Sequence, residues 1–214
     1  MKKIAPGLLI LLFTVFAIAA PRVEKIGAYS GEASDKVKAA LEPNGYRVFL
    51  PNTLQCCEIW LAAKVPAKKN TVAASSYPGL GESSFLGVIT FPKGGATDFR
   101  GQQIRQGSYT MRYASLPSDG NHMGAAPYPD IILLIPIADD LDPSVNYDFG
   151  KLVELSAAAA HTAHPAAFEM MPADTGEPAV SQTDEGWVVF HATFKNAEGK
   201  SVPIAFVVKG SAGQ

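Results

Sequence analysis

The run Asp130-Ile-Ile-Leu-Leu-Ile-Pro136 restricts the fold of this chain more than any other stretch. Ile131 to Ile135 has no polar side in any register, so as a strand it must be covered on both faces. Pro136 cannot donate a ladder hydrogen bond and marks the end of that strand. Just upstream, Tyr109, Met111 and Tyr113 alternate with Ser108, Thr110 and Arg112. That period of two predicts an antiparallel strand with its aromatic side in the core and its Arg112 side wet.

Period-two runs recur along the chain. Tyr46–Leu50 and Ile59–Val65 flank Pro51-Asn52-Thr53 and read as a hairpin. Phe85–Phe91 ends at Pro92 and the Gly94-Gly95 turn. Val188–Phe194 and Val202–Val208 flank the hairpin loop Asn196–Lys200, and Ala166–Met170 reads as a short strand. The Pro-, Gly- and Ser-rich segment 66–84 reads as a loop with a brief strand near Thr71–Ala74, and 172–186 reads as a polar loop.

Two helices interrupt the strands. Ser34 caps the first, with Val37, Ala40 and Leu41 on one face, and Pro43-Asn44-Gly45 stops it. The second carries Phe149, Leu152, Val153 and Ser156 on one stripe, with Asn146 or Asp148 as its cap and Pro165 forcing its end. Eight or nine short strands against two helices, without regular βα alternation, predict a mainly β fold. The architecture expected is an antiparallel β-sandwich or open barrel with one or two packed helices.

The 214 residues, 47% hydrophobic and 18% charged, contain enough apolar material for a core without disulfide support. Lys2 and Lys3 precede an apolar stretch, Leu8–Ala20, and Ala17 and Ala19 satisfy the small-x-small rule for signal cleavage. Residues 1–19 are therefore read as a signal peptide and 20–214 as a single domain, exported to the periplasm or beyond. An uncleaved anchor is the alternative, since Ile4–Ala20 is about 17 residues, the short limit for a span. After cleavage the chain is expected not to be an integral membrane protein. Losing Lys2 and Lys3 takes the formal charge from −2 to −4. An acidic chain lacks the basic footprint of phosphate-backbone binding, so nucleic acid is not an expected partner.

The segments ALEPNGYRVFL, CEIWLAAKVP, GQQIRQGSYTMRY, YPDIILLIPIADD and HTAHPAAFEMMP resemble a group of uncharacterised secreted β-sandwich proteins of environmental bacteria, Acidobacteria in particular. In that group a GxxIxxGxYTxRY strand precedes a YPDxxLLxP strand, and a helix ends in an HP element, here His164-Pro165. The likeness spans roughly residues 37–208. It implies fold and address, a domain of unknown function, and no reaction. It also implies that any role for the cysteine pair is local to this chain.

Five groups of residues could carry chemistry. Cys56 and Cys57 are the only cysteines and are adjacent. They form either a vicinal disulfide or soft-metal site, or two small apolar fillers facing opposite sides of a strand. His161 and His164 have helix-face spacing for a metal, with His122 as a third ligand, although helix-end and turn roles explain the first two equally well. His122 and Met123 lie in the long loop Ser115–Pro129, the first place to seek a site. A blue-copper arrangement is disfavoured because both cysteines precede every histidine. Tyr109, Tyr128 and Trp187, with Tyr113 and Trp60, could stack a sugar if they lined an open face; Met111 on the face of Tyr109 and Tyr113 favours a core role for those two. Asp139, Asp140 and Asp142 suggest a weak Ca²⁺ site or a solvated strand end.

There is no GxSxG elbow, phosphate-cradling glycine loop or HExxH, so no cofactor and no catalytic residue is assigned. The expectation is an exported, non-enzymatic binding or structural module, with a glycan or envelope protein as partner. The alternatives are a periplasmic copper- or zinc-binding or redox protein, and a hydrolase without a recognisable motif.

Overall fold

A computed structural model describes residues 19–51, 54–68, 72, 74–117, 126–174 and 176–211. Ten strands form one antiparallel sheet that curls until its edges nearly meet. The mainly β expectation is met, and the open barrel is the form taken. In chain order the first strands are β1 (Arg22–Ile26), β2 (Gly45–Phe49), β3 (Gln55–Leu61), β4 (Phe85–Phe91), β5 (Ala96–Thr97), β6 (Gln103–Ile104) and β7 (Gly107–Ser115). They are followed by β8 (Asp130–Pro136), β9 (Ala167–Met171), β10 (Ala179–Gln182), β11 (Val188–Lys195) and β12 (Ser201–Lys209). The sheet order is β1-β2-β3-β4-β7-β8-β9-β12-β11-β10, and β5 and β6 form a separate two-stranded ribbon. A meander thus runs as far as β9, after which the chain crosses to the far edge and returns. The crossing brings β10 up against β1.

β8 is the covered strand that its composition demands. Ile132 and Leu134 join the main core inside the curled sheet. Ile131, Leu133 and Ile135 pack under Leu152 of the helix α2 (Phe149–Ala160). α2 begins where Asp148 accepts the Lys151 amide at 2.8 Å. It ends at His161, which is left-handed at φ 52°, four residues before the Pro165 stop. The shorter α1 (Asp35–Ala39) is capped by Ser34. No helix among the described residues is long and apolar enough to cross a membrane.

The wet face expected for β7 is a correction. Tyr109, Met111 and Tyr113 do lie in the main core. However, Thr110 and Arg112, on the opposite face, are fully buried. The segment after β8 folds back over them and supplies Asp140, whose carboxylate takes the Arg112 Nε at 2.8 Å and Nη2 at 2.7 Å. The remaining guanidinium hydrogens go to carbonyl oxygens: Ser83 and Val145 at 2.9 Å from Nη1, and Asp142 at 2.9 Å from Nη2. All five donors are taken, which is the condition under which a buried charge pair is tolerated.

Candidate functional site

Buried polar groups also fasten the end of the sheet where β8 begins. Asp130 is fully buried and accepts from the Tyr113 hydroxyl, from Ser75 Oγ at 2.6 Å and from the Ser76 amide at 2.8 Å. The Tyr113 hydroxyl is pushed up to about 12, by burial first and then by its bond to that carboxylate. Two residues on, the Tyr77 hydroxyl donates to the carbonyl of Met171 on β9 and accepts the Ala205 amide of β12 at 3.0 Å. Burial likewise pushes the Tyr77 hydroxyl well above the usual phenol range. Neutral phenols are what these bonds require, because a hydroxyl must donate to a carboxylate or a carbonyl. The segment from Ser75 to Leu80 is therefore held from both sides although it has no regular structure.

That segment forms one wall of a cavity of about 310 Å³ at the end of the sheet. Tyr77, Pro78, Gly79 and Leu80 line it on one side; Phe194, Val202 and Pro203 of the β11–β12 hairpin line the other, with Val65 and Ala173 between. Ser76 and Asn196 are the polar rim. The volume lies at the small end of ligand sites, and such a lining, apolar with a few polar groups, is typical of them. No Asp, Glu, His, Cys, Lys or Arg is among the described lining residues, and the Tyr77 hydroxyl is engaged by the Met171 carbonyl and the Ala205 amide.

The residues singled out from sequence are scattered over the molecule. His122 and Met123 lie outside the described residues, as do Thr71 and Ala73 of the suggested brief strand. Tyr128, at the end of the same long loop, is half-buried, and its amide donates to Glu169 Oε1 at 2.7 Å. Glu169 is 1% exposed, and its carboxyl is pushed up to about 8 by burial, with the negative Asp130 adding to the effect. Tyr109 is buried against Phe91, and its hydroxyl donates to the Arg105 carbonyl at 2.9 Å. It also lines an open groove with Arg105, Asp139 and His161. Trp187 is half-buried, edge-on to Phe99 at 5.0 Å, with its indole N–H on the Ser211 carbonyl. Trp60 is buried with its N–H on the Gly27 carbonyl at 2.9 Å.

His161 and His164 are both exposed, one ending α2 and the other in a turn where its amide meets Thr162 Oγ1 at 3.1 Å. No cluster of three His, Cys, Asp or Glu side chains suited to a metal ion occurs among the described residues. In the acidic segment, Asp140 belongs to Arg112, and Asp142 pairs with Lys36 and accepts from Ser144. Lys36 and Ser144 hold the Asp142 carboxyl well below its usual range. Cys56 and Cys57 are thiols, and both are buried.

The apolar cavity itself was not foreseen. Its walls come from a loop without periodicity and from a hairpin more than a hundred residues away. The one available signal was the Ser-Ser-Tyr-Pro-Gly-Leu run, whose aromatic and leucine side chains are out of place in a solvated loop. The fold and cavity define a curled antiparallel sheet with an apolar end pocket. No protein-family model, no curated protein and no solved structure matches the chain.

Proposed function

We propose that this chain is an exported binding protein that holds a small, predominantly apolar molecule in the cavity between residues 76–80 and the β11–β12 hairpin. The carrying observation is a lining of Val65, Tyr77, Leu80, Phe194 and Val202 around about 310 Å³, with one wall fixed by Asp130 and Tyr77. A preformed wall loses little conformational freedom on binding, which favours affinity. A described lining without carboxylate, imidazole, thiol or cationic side chains, and with its Tyr77 hydroxyl engaged by backbone groups, supports binding rather than turnover. Apolar walls favour a hydrocarbon or an aromatic ring over a glycan. Export rests on Lys2, Lys3, the apolar Leu8–Ala20 and the Ala17-x-Ala19 pattern, in line with the resemblance to secreted bacterial proteins.

The test is a fluorescence titration with 1-N-phenylnaphthylamine, comparing the wild-type chain with Gly79→Trp. Gly79 lines the cavity and a Cβ there meets nothing within 4 Å, so the fold has room for a larger side chain beside it. The expected result is saturable binding weakened at least about tenfold in the variant, equivalent to about 1.4 kcal/mol. Equal binding by both proteins would remove the cavity from the account.

A further inference from the structure

The β2–β3 ladder contains one irregularity, and it falls at the cysteines. Val48 pairs with Cys57 and Phe49 with Gln55, so Cys56 is the extra residue of a bulge. In a regular strand, adjacent side chains point to opposite faces. A bulge re-aims them, and here both cysteines enter the same core cluster. Cys57 is fully buried, and Cys56 keeps 8% of its surface. Each thiol perturbs the ionisation of the other, as neighbours on one side of a strand do. Cys56 Sγ also donates to the Val208 carbonyl on β12 at 3.5 Å. Two fillers would need only volume; volume explains neither the bulge nor the entry of both side chains into one cluster.

We propose that Cys56 and Cys57 form a dithiol site for a trivalent arsenic or antimony centre. Such a centre is pyramidal and three-coordinate, so two neighbouring sulfurs complete it with one substituent left over. Zinc needs four ligands, and no third His, Cys, Asp or Glu joins this pair into a metal-holding cluster among the described residues. Entry is from the side of Cys56, which keeps surface where Cys57 keeps none. With an arylarsenoxide, the oxygen leaves as water with the two thiol hydrogens. Two As–S bonds form, and arsenic remains trivalent. Cys57 and the nearby Lys209 lower the Cys56 thiol, which favours it as the first nucleophile.

Phenylarsine oxide, added to the reduced, folded full chain, tests the site by intact mass. The expected product is a one-to-one adduct minus water that survives excess monothiol and is released by 2,3-dimercaptopropanol. Cys56→Ser and Cys57→Ala should each abolish it. A second readout needs no variant: bound arsenical should protect Cys56, the thiol with surface left, from maleimide under native conditions. Adduct formation only after denaturation would overturn the proposal. So would an adduct retained by either single variant, or maleimide labelling unchanged by the arsenical.

Discussion

Arg112 and Asp140 show how one buried pair can fix a region with no regular structure of its own. The guanidinium joins Ser83, Asp140, Asp142 and Val145, and it packs beside the rings of Tyr147 and Phe85. Removing one partner leaves the other charged, buried and alone. Asp140→Ala or Arg112→Ala is therefore expected to cost about 3–5 kcal/mol in urea unfolding, and the apolar double replacement Arg112→Met with Asp140→Leu to cost less than either. Glu169 makes a prediction of opposite character. Its folded carboxyl, near 8, lies above the ordinary 4.5. From pH 4.5 to 8 the unfolded chain releases this proton while the folded chain keeps it. Its contribution is thus fully present below 4.5 and lost as pH rises through 8, by on the order of a few kcal/mol. Glu169→Gln should flatten the fall in stability over that window in denaturation followed at several pH values.

At the level of elements, the strands with strong period or composition were legible. β7 and β8 stood out, and so did the β11–β12 hairpin. α2 declared itself through its apolar stripe, its alanines and Asp148. The edge strands were not legible: β1 is mostly exposed, and β10, Ala-Val-Ser-Gln, has no repeated apolar side. Such strands form because neighbours offer open hydrogen-bonding edges, which is tertiary information. The covered Arg112 face of β7 was misread for a related reason, since its lid comes from the segment after β8. Irregularities were hidden too. Gly87 lies at a register shift between β4 and β7 with φ 141°, and a Cβ there would stand 2.1 Å from the Trp60 carbonyl oxygen. Gly87→Ala is expected to destabilise by about 2 kcal/mol or more, read as a lowered thermal midpoint.

Over the whole molecule, local pattern predicts which neighbours meander but not the step in which β9 pairs with β12 instead of β10. That step curls the sheet, brings β10 to β1 and sets the β11–β12 hairpin opposite residues 76–80, which creates the cavity. The candidate site was illegible because it is a product of closure and carries no motif. Closure also makes β8, covered by core and helix, the least accessible strand. Its amides are expected to exchange last, and those of β1 and β10 first, in native-state hydrogen exchange. The binding account is tested most directly by methyl NMR of the folded chain titrated with 1-N-phenylnaphthylamine. It predicts shifts at the methyls of Val65, Leu80 and Val202, with Ile131, Leu133 and Ile135 under α2 unmoved. Shifts confined to the α2 side, or to the exposed Leu54 and Leu141, would contradict it.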